Sequence, residues 1–418
     1  MVTLLAKRVL MVAYHFPPMR GSSGIQRTLK FAQYLPRFGW APLILSAHPR
    51  AYARTGTDQL AEIAADMPVH RAFALDTSRH LAFRGKYLGA LALPDRWSSW
   101  LLGAVPSGLL MIRKYRPQVI WSTYPIATAH LIALVLHRLT GLPWVADFRD
   151  PMTDEGYPPD PSMRRVYQWI ERLTLQHCTR AVFSTPGTIR DHLRRFPQIP
   201  AERFALIENG FDEENFAAAA AGLQSARIPG GPLTLVHSGI IYPSERDPVP
   251  LFAALSALLG KGLISASTLQ VVLRATAHDD FLRPLIAQYG IGAIVRLEPP
   301  VSYREALTEM LHADGLLILQ AANCNSQIPA KLYEYLRAQR PVLALTDAAG
   351  DTAACLLAAG VDTIAPLDDA VAIETCLLRF LALLRDGNAP VTTMSEVAQR
   401  SREGRTQELA ALLDNLGK

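Results

Sequence analysis

The sequence predicts an α/β protein made of two units, each a parallel sheet with helices on both faces. Three observations predict it. Short apolar runs alternate with amphipathic helical segments along most of the 418 residues. Strands buried on both faces read as continuous apolar runs, which is the parallel-sheet pattern. The alternation breaks once, at 213–232, and then resumes as a second series of similar length. Glycine-bearing polar segments follow several strands in both series, and ligands in such sheets bind beyond the carboxyl ends of the strands.

The first series opens with a buried strand at Val9–Tyr14 and the loop HFPPMRGSSG. A helix carrying Ile25, Leu29, Phe31 and Leu35 on one side follows, then a strand at Pro42–Ser46. Gln118–Thr123 is a strand and Ala129–Leu139 the helix after it. Trp144–Asp147 is a strand that runs into DFRDP. Met163–His177 is a helix, Ala181–Ser184 a strand, Thr188–Arg195 a helix, and Ala205–Ile207 a strand ending in ENGFD. Each strand is short, apolar and bounded by turn residues.

Residues 213–232, EENFAAAAAGLQSARIPGGP, are rich in Ala, Gly and Pro and show no core pattern, so they are expected to be a linker. The second series runs strand Leu233–His237, helix Val249–Leu259, strand Leu269–Arg274, helix Phe281–Tyr289, strand Ile294–Leu297, helix Tyr303–His312 and strand Gly315–Leu319. A helix at about 330–339 and the buried strand PVLAL follow, then helices Ala370–Arg385 and Glu396–Leu416. The expected domains are therefore 1–212 and 233–394, joined by the linker 213–232. Residues 395–418 form a terminal helix that packs back toward the first domain. Two such halves imply a cleft between them.

Composition narrows the function classes. Half the residues are apolar and 19% are charged, the balance of a globular protein, and the formal net charge is only +5. That charge allows anionic ligands without requiring nucleic acid, and no nucleic-acid motif accompanies it. The four cysteines lie far apart without a C-x-x-C pair, so reduced thiols and a cytoplasmic location are expected, with no structural zinc. No apolar run reaches the ~18 residues of a membrane span. The apolar run near the N-terminus is short and lacks a cleavage site, so it is read as a first strand and not as a signal peptide.

The segment NSQIPAKLYEYLRAQRPVLAL, 325–345, carries the most chemistry. A polar loop leads into a helix with Ala330 and Lys331 at its start and Glu334 in its next turn. Helix N-termini offer backbone N–H groups and partial positive charge to phosphate. A carboxylate one turn in suits a ribose diol. In HSGIIYPSERDP, Ser238 and Gly239 end a strand, and Arg246 supplies a permanent planar charge for phosphate oxygens. Gly21 and Gly24 of GSSG follow a strand and open a helix. Their spacing is not G-x-G-x-x-G, and no acid follows about 20 residues on, which disfavours a dinucleotide cofactor. Asp147, Arg149 and Asp150 of DFRDP stand at a strand end, where charges can meet an acceptor hydroxyl or a leaving phosphate.

Taken together, PPMRGSSGIQR, WVADFRDP, ENGFD, HSGIIYPSERDP and IPAKLYEYLRAQRPVLAL resemble, in this order, the GT-B glycosyltransferases, most of all the retaining glycosyltransferase family 4 group. The resemblance spans nearly the whole chain. It implies two Rossmann-like domains facing across a cleft, a nucleotide-sugar donor bound mainly in the C-terminal half, and sugar transfer with retention. It implies a hexosyltransferase-like activity that needs no metal or other cofactor. The acceptor would be a glycan or a lipid-linked molecule in cell-surface polysaccharide or glycoconjugate synthesis.

Carried over by position, Glu334 matches the second glutamate of the family's E-x7-E signature, the ribose ligand. Arg246 stands where a basic residue grips the diphosphate, Gly239 at the phosphate-facing turn, and Gly24 in the N-terminal glycine loop. Arg149 stands near a histidine that in relatives lies over the donor sugar. The chain departs from the pattern twice. Ser326 replaces the first glutamate, and Ile240 replaces a second basic residue after the turn glycine, a charge that Lys331 could supply from the other side.

Two further readings follow. Residues 70–116 hold eight Lys or Arg against two acids, with Trp97 and Trp100 among apolar residues. This suits peripheral contact with an anionic membrane at its inner face, and equally a solvated basic surface with the tryptophans in the core. A sugar-nucleotide 2-epimerase on the same fold, or a non-catalytic nucleotide-sugar-binding protein, are the alternatives to a transferase.

Overall fold

The computed structural model describes residues 7–21, 24–57, 59–154, 156–221 and 231–416. The chain divides into two compact units, Met1–Glu208 together with Arg402–Lys418, and Asn209–Ser401.

The first unit is built from β1 (Lys7–Val12), α1 (Gly24–Tyr34), β2 (Trp40–Ala47), β3 (Val69–Ala72), α2 (Thr77–His80), α3 (Trp100–Tyr115), β4 (Val119–Thr123), α4 (Ala127–Thr140), β5 (Trp144–Arg149), α5 (Pro161–His177), β6 (Arg180–Phe183), α6 (Pro186–Arg195) and β7 (Phe204–Leu206). Its sheet is parallel, in the order β3-β2-β1-β4-β5-β6-β7. The period-2 alternation of a strand sorts its side chains between two cores. Leu10 and Val12 face the core that holds Trp100, Ile132 and Leu136, while Val9 and Met11 face the one with Leu29, Phe31 and Leu409.

The second unit contains α7 (Glu213–Ala220), β8 (Leu233–Ser238), α8 (Val249–Gly260), β9 (Leu269–Arg274), α9 (Asp279–Gln288), β10 (Val295–Glu298), α10 (Tyr303–His312), β11 (Gly315–Leu319), α11 (Lys331–Ala338), β12 (Val342–Leu345), α12 (Asp351–Ala358), β13 (Ile364–Ala365), α13 (Ala370–Arg385) and α14 (Met394–Ala398). The sheet is again parallel, in the order β10-β9-β8-β11-β12-β13. Leu235, Leu317 and Leu343 pack on α8 and α13, and Val236, Ile318 and Ala344 pack on the α10–α11 side. Both units therefore have the Rossmann-like arrangement, and in each all strand C-termini share one edge. No described helix is long and apolar enough to cross a membrane.

Three expectations change. The stretch expected to be a linker begins with α7, because Asp212 caps it and Phe216 and Ala219 are buried. Alanine is the best helix former, but an alanine run has no polar–apolar period to reveal its core face. The rest of that stretch, 222–230, lies outside the described residues. The helix expected at Glu396–Leu416 is two helices, α14 and α15 (Arg402–Asp414), parted where Ser401 bridges to Phe211. Helix α15 belongs to the first unit, where Leu409, Ala410 and Leu413 complete the core under α1. Lastly, Trp100 is fully buried, and Trp97 packs on the same core and donates its indole N–H to the Ala51 carbonyl at 3.2 Å. The tryptophans of 70–116 thus belong to the core and not to an exposed aromatic face. Around them runs α3, whose Gly103 lets it lie against the backbone of Phe73. A Cβ at Gly103 would sit 2.4 Å from that carbonyl oxygen.

Phe216→Ala should cost the second unit about 3–5 kcal/mol, the range for emptying a buried aromatic site. A urea midpoint unchanged from wild type would show that α7 is not part of that core.

Candidate functional site

The second unit gathers its polar groups where β8 meets α11. His237, next to last in β8, is fully buried. Its Nδ1 lies 2.9 Å from the Leu317 carbonyl and its Nε2 lies 3.1 Å from the Lys331 ammonium. A carbonyl only accepts, so Nδ1 carries the proton and Nε2 accepts from Lys331. Burial, and then the Lys331 charge, hold this imidazole well below its usual pKa. The histidine is thus a neutral post that fixes the lysine.

Lys331 opens α11, and no side chain caps that helix start at Ala330. Burial and the neighbouring Arg246 charge push the Lys331 ammonium well below its ordinary pKa, while Glu334 pulls it back. Arg246 donates to the Ile240 carbonyl and lies over the Tyr242 ring at 5.3 Å. Among the described residues it forms no ion pair with Glu245 or Asp247. Gly239 turns the chain between these cations with φ +122°, a conformation that favours glycine. A Cβ there would meet Lys331 Nζ at 2.9 Å. Ser238 donates its backbone N–H to the buried Tyr335 hydroxyl at 2.9 Å, which ties the strand end to α11. Glu334 accepts from the Tyr303 hydroxyl at 2.7 Å.

The loop before α11 is stapled from below. Gln320 donates to the carbonyls of Cys324 and Gln327 at 2.8 and 2.9 Å, and Asn325 donates to Asp347 at 2.6 Å. Ser326 sits in this stapled loop. The structure thus brings Ser238, Gly239, Arg246, Ala330, Lys331 and Glu334 to one edge of one sheet. It adds His237, Tyr303, Tyr335 and Gln320, which sequence reading did not select. The one available signal was that His237 directly precedes the Ser-Gly turn; no spacing could show that it reaches Lys331.

The first unit places the DFRDP charges differently. Asp147 is fully buried and takes two hydrogen bonds from Arg27, at 2.9 and 3.0 Å, plus one from Thr123. Arg27 also donates to the carbonyls of Ile207 and Glu208. The Asp147 carboxylate, expected to meet ligand, is engaged inside the unit, because a buried carboxylate requires a cation and Arg27 supplies it. Arg149 ends β5 in the left-handed region, φ +61°, beside a register shift in the ladder. Only 8% exposed, its guanidinium reaches the Tyr124 carbonyl at 3.4 Å, and among the described residues its Nε has no partner. Asp150 is exposed next to it. His15, at the end of the β1 segment, is pushed down to about 3 by burial and the Arg149 charge. Gly21 has φ +85° and Gly24 begins α1 at the same edge; Ser22 and Ser23 lie outside the described residues.

A family model described as a glycosyl transferase 4-like domain matches residues 23–210. Solved structures match over both units. Sucrose-phosphate synthase from Thermosynechococcus elongatus aligns with a TM-score of 0.64 at 14% identity, over 98% of this chain and 97% of that one. The Anabaena protein HepE, in complex with UDP-glucose, aligns at 0.63 and 14% identity, over 97% and 99%. This chain has the GT-B fold. A UDP-GlcNAc 2-epimerase from Neisseria meningitidis aligns at 0.55 and 14% identity, over 98% and 100%. No curated protein matches the chain significantly by sequence.

Two outcomes follow from these buried charges. Arg27→Met leaves Asp147 buried without its cation and should cost about 3–5 kcal/mol, whereas Arg27→Met with Asp147→Leu should recover much of it. A denaturant series that finds the double variant no better than the single one would contradict this. Second, His15 and His130 are held near a pKa of about 3, and His237 well below 6.5. Each takes up its proton in the unfolded chain near pH 6.5 but stays neutral when folded. Their contribution is present above that pH and lost as pH falls through it, at about 1.4 kcal/mol per pH unit for each histidine. The denaturation midpoint should therefore drop from pH 7 to pH 5. A flat profile would mean that these imidazoles are protonated in the fold.

Proposed function

We propose that this GT-B protein is a glycosyltransferase that takes its sugar from a nucleoside-diphosphate donor held in the second unit. The observation that carries the reading is the pairing of Arg246 with Lys331 at the Gly239 turn. A Cβ at Gly239 would lie 2.9 Å from Lys331 Nζ, and Arg246 donates to the carbonyl of the next residue, Ile240. Burial and then the Arg246 charge depress the Lys331 ammonium, and Glu334 offsets them. An arrangement of that kind is stabilised by an anion. The turn has no side chain to keep the anion off the backbone, and the uncapped start of α11 adds its dipole.

In this reading the diphosphate lies against Ser238, Gly239 and the helix start at Ala330, between Arg246 and Lys331. Glu334, oriented by Tyr303, accepts from the ribose hydroxyls. Transfer is proposed to retain configuration and to be metal-independent, with hexose as the group moved. The bond from the sugar C1 to the β-phosphate oxygen breaks as the acceptor oxygen bonds to the same face of C1. The departing phosphate oxygen takes the acceptor's proton. Negative charge grows on the β-phosphate in this step, and two fixed cations lower its cost. Gly21, Gly24, Arg149 and Asp150 are assigned to the acceptor side, for a glycan or lipid-linked acceptor in cell-surface polysaccharide or glycoconjugate synthesis at the cytoplasmic face of a membrane. The 2-epimerase alternative draws support from the Neisseria likeness. It would need acid–base carboxylates at the sugar, and Glu334, the carboxylate that acts on Lys331, is assigned to the ribose.

Arg246→Ala and Lys331→Ala should each lower kcat/KM for transfer by about a hundredfold or more, the usual size for a donor that stabilises transition-state charge. Glu334→Ala should act mainly through a raised KM for donor. The assay offers UDP-, GDP- and ADP-sugars and follows both transfer and donor hydrolysis. Donor binding without either reaction would support the non-catalytic alternative. Conversion of a UDP-sugar to its 2-epimer would establish the epimerase, and wild-type rates in all three variants would remove the site.

A further inference from the structure

Large apolar side chains collect on the outside of the first unit in one segment. Of the 21 described as exposed, eight fall within residues 70–116, although that segment is 47 residues of 418. They are not the tryptophans, which are in the core. Phe83 at 78% and Leu88 at 73% flank a tight turn. Phe83 and Lys86 exchange both backbone hydrogen bonds, at 2.8 and 3.0 Å, with Arg84 and Gly85 in left-handed conformations between them. Every residue from Phe83 to Leu91 is exposed.

The turn is anchored at its base and projects outward. Thr77 and Ser98 both donate to the Leu91 carbonyl, at 2.9 and 2.8 Å. Buried Asp95 accepts from the backbone and hydroxyl of Thr128, at 2.9 and 2.8 Å. Trp97 holds Ala51 and packs against Tyr14, ring centroids 4.7 Å apart. Tyr14 adjoins His15, so the turn is rooted at the sheet edge that carries Gly21 and Arg149.

Charge decides what covers this surface. Residues 77–116 contain seven Lys or Arg and a single acid, Asp95, whose carboxylate is turned into the unit. Helix α3 repeats the pattern, with Leu102, Pro106 and Leu110 exposed at four-residue spacing and Arg113 and Lys114 at its end. An apolar tip flanked by cations, with no exposed acid in 77–116, would repel a second copy of itself. It complements an anionic bilayer, where apolar side chains enter the interface and cations meet lipid phosphates.

We propose that the turn Leu81–Leu91 is a membrane-docking element for bilayers rich in anionic phospholipid, with Phe83 and Leu88 inserted and Arg84 and Lys86 on the headgroups. Docking there brings the acceptor edge of the first unit to the lipid surface. This does not depend on the donor chemistry of the second unit.

Vesicle co-sedimentation of the full chain tests it, with phosphatidylcholine vesicles alone or carrying about three parts in ten phosphatidylglycerol. Wild type should partition at least about tenfold more strongly onto the anionic vesicles, and high salt should weaken that binding. Phe83→Ser with Leu88→Ser, and separately Arg84→Glu with Lys86→Glu, should each reduce it about tenfold or more while circular dichroism and donor-sugar turnover stay at wild-type level. Equal partition of wild type and Phe83→Ser/Leu88→Ser, or none by wild type, overturns the proposal. So does a wild-type dimer in sedimentation velocity that the serine variant dissolves without any lipid binding, since the occupant is then a second copy.

Discussion

The carboxylate of Asp147 and the guanidinium of Arg27 meet almost wholly out of solvent. Neither charge could be buried alone, because moving an ion out of water costs far more than a fold of this size can absorb. Together with Thr123 and the carbonyls of Ile207 and Glu208, they join α1, β4, β5 and the end of β7 at one point. The edge of the first sheet is organised around that point. Two residues on, Arg149 ends β5 beyond a register shift, with its backbone left-handed and its Nε without a hydrogen-bond partner among the described residues.

The second unit solves a similar problem with a neutral group. His237 carries no charge into the interior. It passes the Leu317 carbonyl's acceptor character upward to Lys331, and the lysine is held without a buried counter-ion beneath it. A carboxylate in that position would neutralise the ammonium and remove the attraction for an incoming anion. A neutral imidazole orients the lysine and leaves its charge available. The two units thus use their buried polar groups for different ends, one to brace the sheet edge and one to present a cation.

Much of this was legible because parallel strands buried on both faces must be apolar, and the polar residues that end them must be doing something at the edge. Val9–Tyr14, Trp144–Asp147, Leu233–His237 and Gly315–Leu319 were readable for that reason. So were the glycines and cations that follow some of them. The edge strand β3 was not, since Val69–Ala72 is short and half polar. Helix α7 hid in an alanine run, and α3 behind its glycines and Pro106. The tryptophans left two readings open, because aromatic residues beside cations look alike whether they face lipid or core, and the core reading holds. What no spacing could convey was distance: His237 and Lys331 are 94 residues apart in sequence. Arg27 and Asp147 are 120 apart. For that reason the pairing of Asp147 with Arg27 could not be foreseen when Asp147 was selected as a ligand group.

The first unit is not continuous in the chain. Its last helix, α15, arrives only after the whole of Asn209–Ser401 has intervened. Until it does, Leu29, Leu35 and Trp40 lack the cover that Leu409, Ala410 and Leu413 provide, and the Trp40 indole lacks its partner Asp414. At ordinary synthesis speeds of about 5–20 residues per second, the intervening unit occupies on the order of ten seconds or more. The nascent first unit spends that interval with an open apolar groove beside α1, while the second unit, continuous in sequence, can close on its own. The order of birth is therefore the reverse of the order of completion, and the unit made first is the one that a chaperone would have to guard.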